Sequence, residues 1–416
     1  MGDGRRGWWV RWLGGLLLLA LVLPVRGAGG AYEDRRAAGA GIQRALDGQA
    51  DAVLAGDRDG YLAAVDPAAR GYRAAQRAVF RNLSVLPLAQ WSYRVEDLRL
   101  RGARAEADVR LRYRLRDYDR VPVTAVEKLD FARRDGRWYV AAERAGSARQ
   151  LWEQGRVSVL RGKHSLVLSV DGRPGADGSM LRAVSAAADR AVPAVSLSWP
   201  RPWPRRLVVE VPATSKALAE LLGAPGASYE GIAAVTTGTG GGTSAPSARV
   251  LVNPEAYGVL SGEGRQVVMT HETVHVASRP YTTDVTPLWL SEGLADWVGY
   301  RGTGRPPSDA APQLARAVRE DALPEGLPGD DEFRFDAAAD ALSRAYEGGW
   351  LACRMIADRW GDARLMAFYL EVGARRGGGG DEGRERAVDA ALRDVLGLER
   401  AEFVALWRAY LREELA

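Results

Sequence analysis

Two histidines four residues apart, His271 and His275, with Glu272 between them, constrain this chain more than any other stretch of it. On an α-helix, residues four apart lie one turn above each other, so a helix puts both imidazoles on one face with the carboxylate beside them. That face suits a divalent metal and the water it activates. Histidine is scarce, with three in 416 residues, and two of them are spent here. Val267, Val268 and Met269 lead in, as in a helix entering a core, where charged groups need a metal or hydrogen bonds to offset their desolvation. Downstream, Trp289-Leu290-Ser291-Glu292-Gly293-Leu294-Ala295-Asp296-Trp297 reads as a second buried helix. Its Glu292 and Asp296 are four apart and share a face, so one carboxylate can reach the metal while the other holds an imidazole from behind.

These residues resemble the gluzincin metallopeptidases, the group of thermolysin and aminopeptidase N, and within it the small bacterial peptidase MA-like domains. The resemblance implies one Zn²⁺ per chain, bound by His271, His275 and Glu292, with Glu272 as general base. It assigns Asp296 to orienting a ligand imidazole and raising its basicity. The spacer between the two helices is shorter than in thermolysin or aminopeptidase N, which predicts a shorter loop across Arg279 to Pro287. Further on, Tyr346-Glu347-Gly348-Gly349 is similar to the Tyr-Glu-x-Gly of the aminopeptidase branch, whose Tyr donates a hydrogen bond to the developing oxyanion; Tyr346 is the matching residue, and a ring simply packed into the core is the alternative. The Gly-x-Met-Glu-Asn strand of that branch has no counterpart, since Ser247 to Pro254 lacks the Glu, so exopeptidase action is unsupported. A strand over Arg249 to Val252 could still pair with an extended peptide substrate through backbone groups.

The expectation is thus an exported zinc peptidase acting on a peptide or protein. The alternative is a non-catalytic, zinc-containing cell-surface binding protein, against which the retained Glu272 argues. No Gly-x-Ser-x-Gly elbow supports a serine hydrolase. The formal charge of +4 falls to about +1 once residues 1 to 31, with Arg5, Arg6, Arg11 and Arg26 against Asp3, are set aside, so no nucleic-acid partner is implied. Lysine occurs only at Lys128, Lys163 and Lys216 amid abundant Arg, Ala and Gly, a composition resembling that of GC-rich bacteria. Arginines ahead of the apolar run Trp12 to Val25, then small residues to Ala31, match a secretory signal; the chain would be secreted, or held outside by an uncleaved membrane anchor. Cys353 is the single cysteine and reads as a packed thiol.

Periodicity divides the remainder in two. Residues 32 to 160 read as helices (Ala40 to Val65, broken near Gly56-Asp57, and Ala68 to Leu83) followed by strands of period two, with an Asp135-Gly136 hairpin. That order resembles an NTF2-like cone, a support or binding module whose Asp117, Asp119 and Glu127 form a solvated edge. Residues 161 to 416 read as the peptidase domain, α+β with a helical C-terminal part, and His164 is isolated from any ligand spacing. The glycine-rich Thr236 to Ser247 predicts a flap beside the site rather than a phosphate loop, and Arg375 to Gly383 a second flexible link.

Overall fold

The computed structural model describes residues 28–170, 178–224, 229, 231–237, 247–334, 339–375 and 380–416. Residues 1–27 of the expected secretory segment, the glycines of the expected flap and most of the link after Arg375 lie outside the described residues. Among those described, no helix is long and apolar enough to cross a membrane.

The chain is a mixed α+β protein with two sheets. Helices α1 (Ala28–Ala55), α2 (Arg58–Ala63) and α3 (Arg70–Leu83) precede strands β1 (Leu88–Arg101), β2 (Arg104–Leu115), β3 (Val123–Arg134) and β4 (Arg137–Glu143). The strands form an antiparallel sheet in sequence order. Asp135 and Gly136 both take positive φ, 48° and 78°, the two left-handed positions that a tight β3–β4 hairpin requires. Along β2 every second residue from Ala105 to Leu115 is buried, and this face meets Ile42 and Leu46 of α1 together with Phe131 and Trp138.

A second sheet, ordered β5-β6-β7-β9-β8, comprises β5 (Val157–Arg161), β6 (Ser165–Val170), β7 (Leu207–Val211), β8 (Ala234–Thr236) and β9 (Val250–Val252). Strands β6, β7 and β9 are parallel; β5 and β8 close the two sides antiparallel. Between them run α4 (Ser179–Ser198) and α5 (Ser215–Leu222), with α6 (Pro254–Val259) after β9. Then come α7 (Gly262–Ser278), α8 (Leu288–Tyr300), α9 (Pro307–Ala310), α10 (Pro312–Arg319), α11 (Ala339–Trp360), α12 (Asp362–Ala374), α13 (Asp381–Ala391) and α14 (Arg400–Leu415). One core joins α4, α7, α8, α11, α12 and α14 through Val184, Met269, Leu290, Leu351, Tyr369 and Trp407.

Three features depart from the sequence reading. The second sheet opens at Val157, and its Leu166, Leu168, Val170 and Val208 share an apolar cluster with Trp91, Leu111, Tyr113 and Trp152, so a common core crosses the expected division at residues 160 and 161. Asn82 on α3 staples the crossing, donating to the carbonyls of Trp152 and Gly155 and accepting from Val157 N. Asp119 and Glu127 are not a solvated edge, although Asp117 is exposed. Asp119 is buried against Arg249, a partner 130 residues away that no local pattern could reveal. Glu127 pairs opposite Val109 and alternates with buried Ala125 and Leu129, which puts it on the inner face of the sheet. Finally, β9 is flanked on both sides by β7 and β8, so its backbone groups are taken and the strand edge facing outward is β8.

Candidate metal centre

Helix α7 starts where Ser261 Oγ accepts from Gly264 N, and it is buried along Met269, Thr273, Val274 and Ala277. Helix α8 has no cap of its own; Asp330 Oδ1 accepts from Leu288 N at 2.8 Å and supplies one. The two helices cross closely at Gly299, where an added Cβ would lie 3.1 Å from Val267 O. Helices α8 and α11 touch backbone to backbone: a Cβ on Gly293 would lie 2.2 Å from Gly349 O, and one on Gly349 would lie 2.6 Å from Trp289 O. Gly349 is three residues past Tyr346, so this contact sets Tyr346 over the face of α8 that carries Glu292.

The three expected ligands converge. His275 Nε2 lies 3.1 Å from His271 Nε2 and 3.3 Å from Glu292 Oε2, and His271 Nε2 lies 3.2 Å from the same oxygen. Ligand bonds of about 2.0–2.1 Å put the corners of a tetrahedral zinc site about 3.3 Å apart, so the spacing of these atoms fits that ion without rearrangement. Two nitrogens and a carboxylate oxygen are also a donor set that zinc accepts. Among the described residues this is the group of acidic, histidine or cysteine side chains able to hold a metal. His164 stands outside it at the β5–β6 turn, and Cys353 is buried on α11.

The surrounding groups hold these three side chains in place. Asp296 Oδ1 lies 2.7 Å from His271 Nδ1, which fixes the ring and leaves Nε2 facing inward. Burial alone would lower the His271 pKa, but the Asp296 and Glu292 carboxylates hold it well above the ordinary imidazole range. Burial would raise Glu292; His275 and His271 overcome this and keep its carboxyl well below the usual range. Tyr346 lies beside Glu292, and its ring centroid is 6.4 Å from that of His271. Burial, then the charges of Glu292, Asp296 and Glu272, push its phenol well above the ordinary value, so the hydroxyl keeps its proton and stays a donor.

Glu272 is buried on the same helix as His271 and His275, and Thr236 Oγ1 donates to its Oε2 at 2.6 Å. Thr236 escaped the sequence reading, which saw it as the start of a glycine-rich stretch; the only local signal is its place at the end of the short apolar run Ala233-Ala234-Val235. Glu347, beside Tyr346, turns away from the centre and accepts from Gln313 N and Leu314 N, capping α10.

No family model matches the sequence, and no curated protein is similar to it at a significant level. Among solved structures, a two-domain M1 zinc metallopeptidase bound to L-arginine is 16% identical at a TM-score of 0.33, over 68% of this chain and 58% of that one. The M1 zinc metallopeptidase of Deinococcus radiodurans is also 16% identical at a TM-score of 0.33, over 68% of this chain and 59% of that one. A SEC-C motif containing protein of Rhodopseudomonas palustris is 21% identical at a TM-score of 0.19, over 29% of this chain and 94% of that one. The chain thus spans less than two thirds of the length of these metallopeptidases. Similarity at this level carries no argument about activity, which rests on the site's own residues.

Proposed function

We propose that this chain is an exported zinc-dependent peptidase of the gluzincin type, with one zinc held by His271, His275 and Glu292. The observation that supports it most is the convergence of those three donor atoms at 3.1–3.3 Å, with a buried Glu272 alongside. When bound, the metal supplies a Lewis acid that polarises the scissile carbonyl and makes a neighbouring water acidic. Glu272 takes the proton of the attacking water and delivers it to the leaving amine. The protonated Tyr346 hydroxyl donates to the oxyanion that develops on the carbonyl, and Asp296 keeps His271 oriented throughout. The outer edge of β8, unpaired among the described residues and with Thr236 touching Glu272, offers an extended substrate backbone a strand to pair with.

In this reading residues 1 to 31 are the secretory segment, or an anchor that leaves the chain outside the membrane, and the N-terminal unit is NTF2-like. The test is incubation of the purified chain with a diverse peptide mixture, with and without chelator, and mass-spectrometric reading of new termini. Cleavage that is lost on chelation and restored by zinc is expected. A zinc-loaded chain that cleaves nothing would favour the non-catalytic binding protein.

A further inference from the structure

The hydrogen bond from Thr236 to Glu272 leads back, step by step, to the N-terminal unit. Thr236 is the last residue of β8, paired with Val250 of β9. The next pair continues the ladder: Arg249 N donates to Thr237 Oγ1 at 2.8 Å, and Thr237 N donates to Arg249 O at 2.8 Å. The Arg249 guanidinium reaches from the second sheet, where its Nε lies 3.6 Å from Glu210 Oε1 on β7, to the β2–β3 connection. Its Nη1 and Nη2 donate to the two oxygens of Asp119 at 2.7 and 2.8 Å, a two-point grip with side chains only 6% and 1% exposed. Asp119 is itself fixed in the β2–β3 connection, since its Oδ2 accepts from Leu115 N and its own N donates to Leu115 O. A second tether joins the same places, with Ser247 Oγ donating to Val121 O at 2.7 Å.

Burying a charged pair between two units is costly, and nothing about the β8–β9 hairpin alone requires it. What the pair does accomplish is to hold a three-residue edge strand still, and that strand carries the only hydrogen bond to the Glu272 carboxylate among the described residues. We propose that Asp119, Arg249 and Thr236 are positioning residues for Glu272, and that the N-terminal unit thereby sets the geometry of the base. The inference rests on the reading of Glu272 as that base. With Oε2 held by Thr236, Oε1 is the oxygen that takes the proton.

The test uses the zinc-loaded full chain and measures kcat, KM and zinc content together. Thr236→Val is expected to lower kcat about 10- to 100-fold with KM within about twofold and zinc unchanged, because a base displaced by roughly an ångström loses that much. Thr236→Ser, which keeps the hydroxyl, should recover most of the rate. Asp119→Asn should lower kcat about tenfold, again at constant KM, and the double variant with Thr236→Val should be no slower than Thr236→Val alone. Free of any turnover, hydrogen exchange in the 231–237 segment of the metal-free chain should quicken in Asp119→Asn. If that variant does not fold, Arg249→Lys keeps the charge between Asp119 and Glu210 while giving up the two-point grip, and carries the same expectations. Wild-type kcat in Thr236→Val or in the clamp variant, or a double variant as slow as the product of the two single effects, would overturn the proposal. Glu272→Gln separates the cases: turnover retained there refutes the base itself, whereas an inactive Glu272→Gln beside an unimpaired Thr236→Val refutes only the positioning chain.

Discussion

Replacing Gly293 by alanine puts one methyl group where α8 and α11 meet, and its effect can be worked out from the contact. The new Cβ would stand 2.2 Å from Gly349 O and 2.4 Å from its carbonyl carbon, both backbone atoms that cannot swing aside. Ordinary contact needs about 3.5 Å, so the helices must part by about 1.3 Å. Alanine returns about 1 kcal/mol of helix propensity, while overpacking of this kind costs about 1–3 kcal/mol and more where backbone is involved. A net loss of about 1–3 kcal/mol corresponds to a melting temperature lower by roughly 1–4 °C for a chain of this size. Glu292 and Asp296 ride on α8 and Tyr346 on α11, so the same separation pulls the two halves of the site apart and should cost on the order of 10²-fold in turnover. Gly48→Ala is the matched control: this exposed glycine lies inside α1 with open space around its Cβ position, and the change should stabilise by about 0.5–1 kcal/mol. Thermal melts and peptide hydrolysis on the same preparations decide the matter. A Gly293→Ala chain that melts and turns over as wild type would refute the close helix contact and the placement of Tyr346 that depends on it.

Glu272→Gln keeps the shape of the side chain but removes the base, so zinc content should stay normal while turnover falls by several orders of magnitude; unchanged hydrolysis would point to another base. Tyr346→Phe should lower kcat and kcat/KM together by roughly 10²- to 10³-fold with KM little changed, whereas near-normal kinetics would reduce Tyr346 to a packing residue. Burial, with Glu153 and Glu143 nearby, pushes the Glu127 carboxyl well above its ordinary 4.5, just as burial and Glu143 push Glu153 to about 7. Groups whose pKa is raised by folding stabilise below the unfolded value and lose that contribution as pH rises through the folded one. Glu127→Gln should therefore raise the melting temperature at pH 8 and make no difference near pH 4, and a shift independent of pH would contradict this account of the inner face.

The parts of this molecule legible in the sequence are those written in local periodicity. The four-residue spacing of His271 and His275, and that of Glu292 and Asp296, specify faces of helices, and the alternation from Ala105 to Leu115 specifies a face of a sheet. What escaped was set by distant partners. Asp119 and Glu127 look like ordinary charged residues of polar strand ends; only the second sheet, arriving more than a hundred residues later, buries the first against Arg249. Nor does the apolar strand Val250–Val252 announce that it lies inside the sheet, because strand order depends on where Ala234–Thr236 returns to pair with it. Gly293 and Gly349 were visible as letters of two motifs, but their purpose is steric, and it emerges only once α8 and α11 are seen in contact.

The most direct test of the metal centre is the zinc content of the purified chain after equilibration with zinc and desalting, measured by elemental analysis beside His271→Ala and His275→Ala. One zinc per wild-type chain and none in either variant is the expected result. A wild-type chain that retains no zinc, or a variant that keeps a full equivalent, would contradict the assignment of His271, His275 and Glu292 as its ligands.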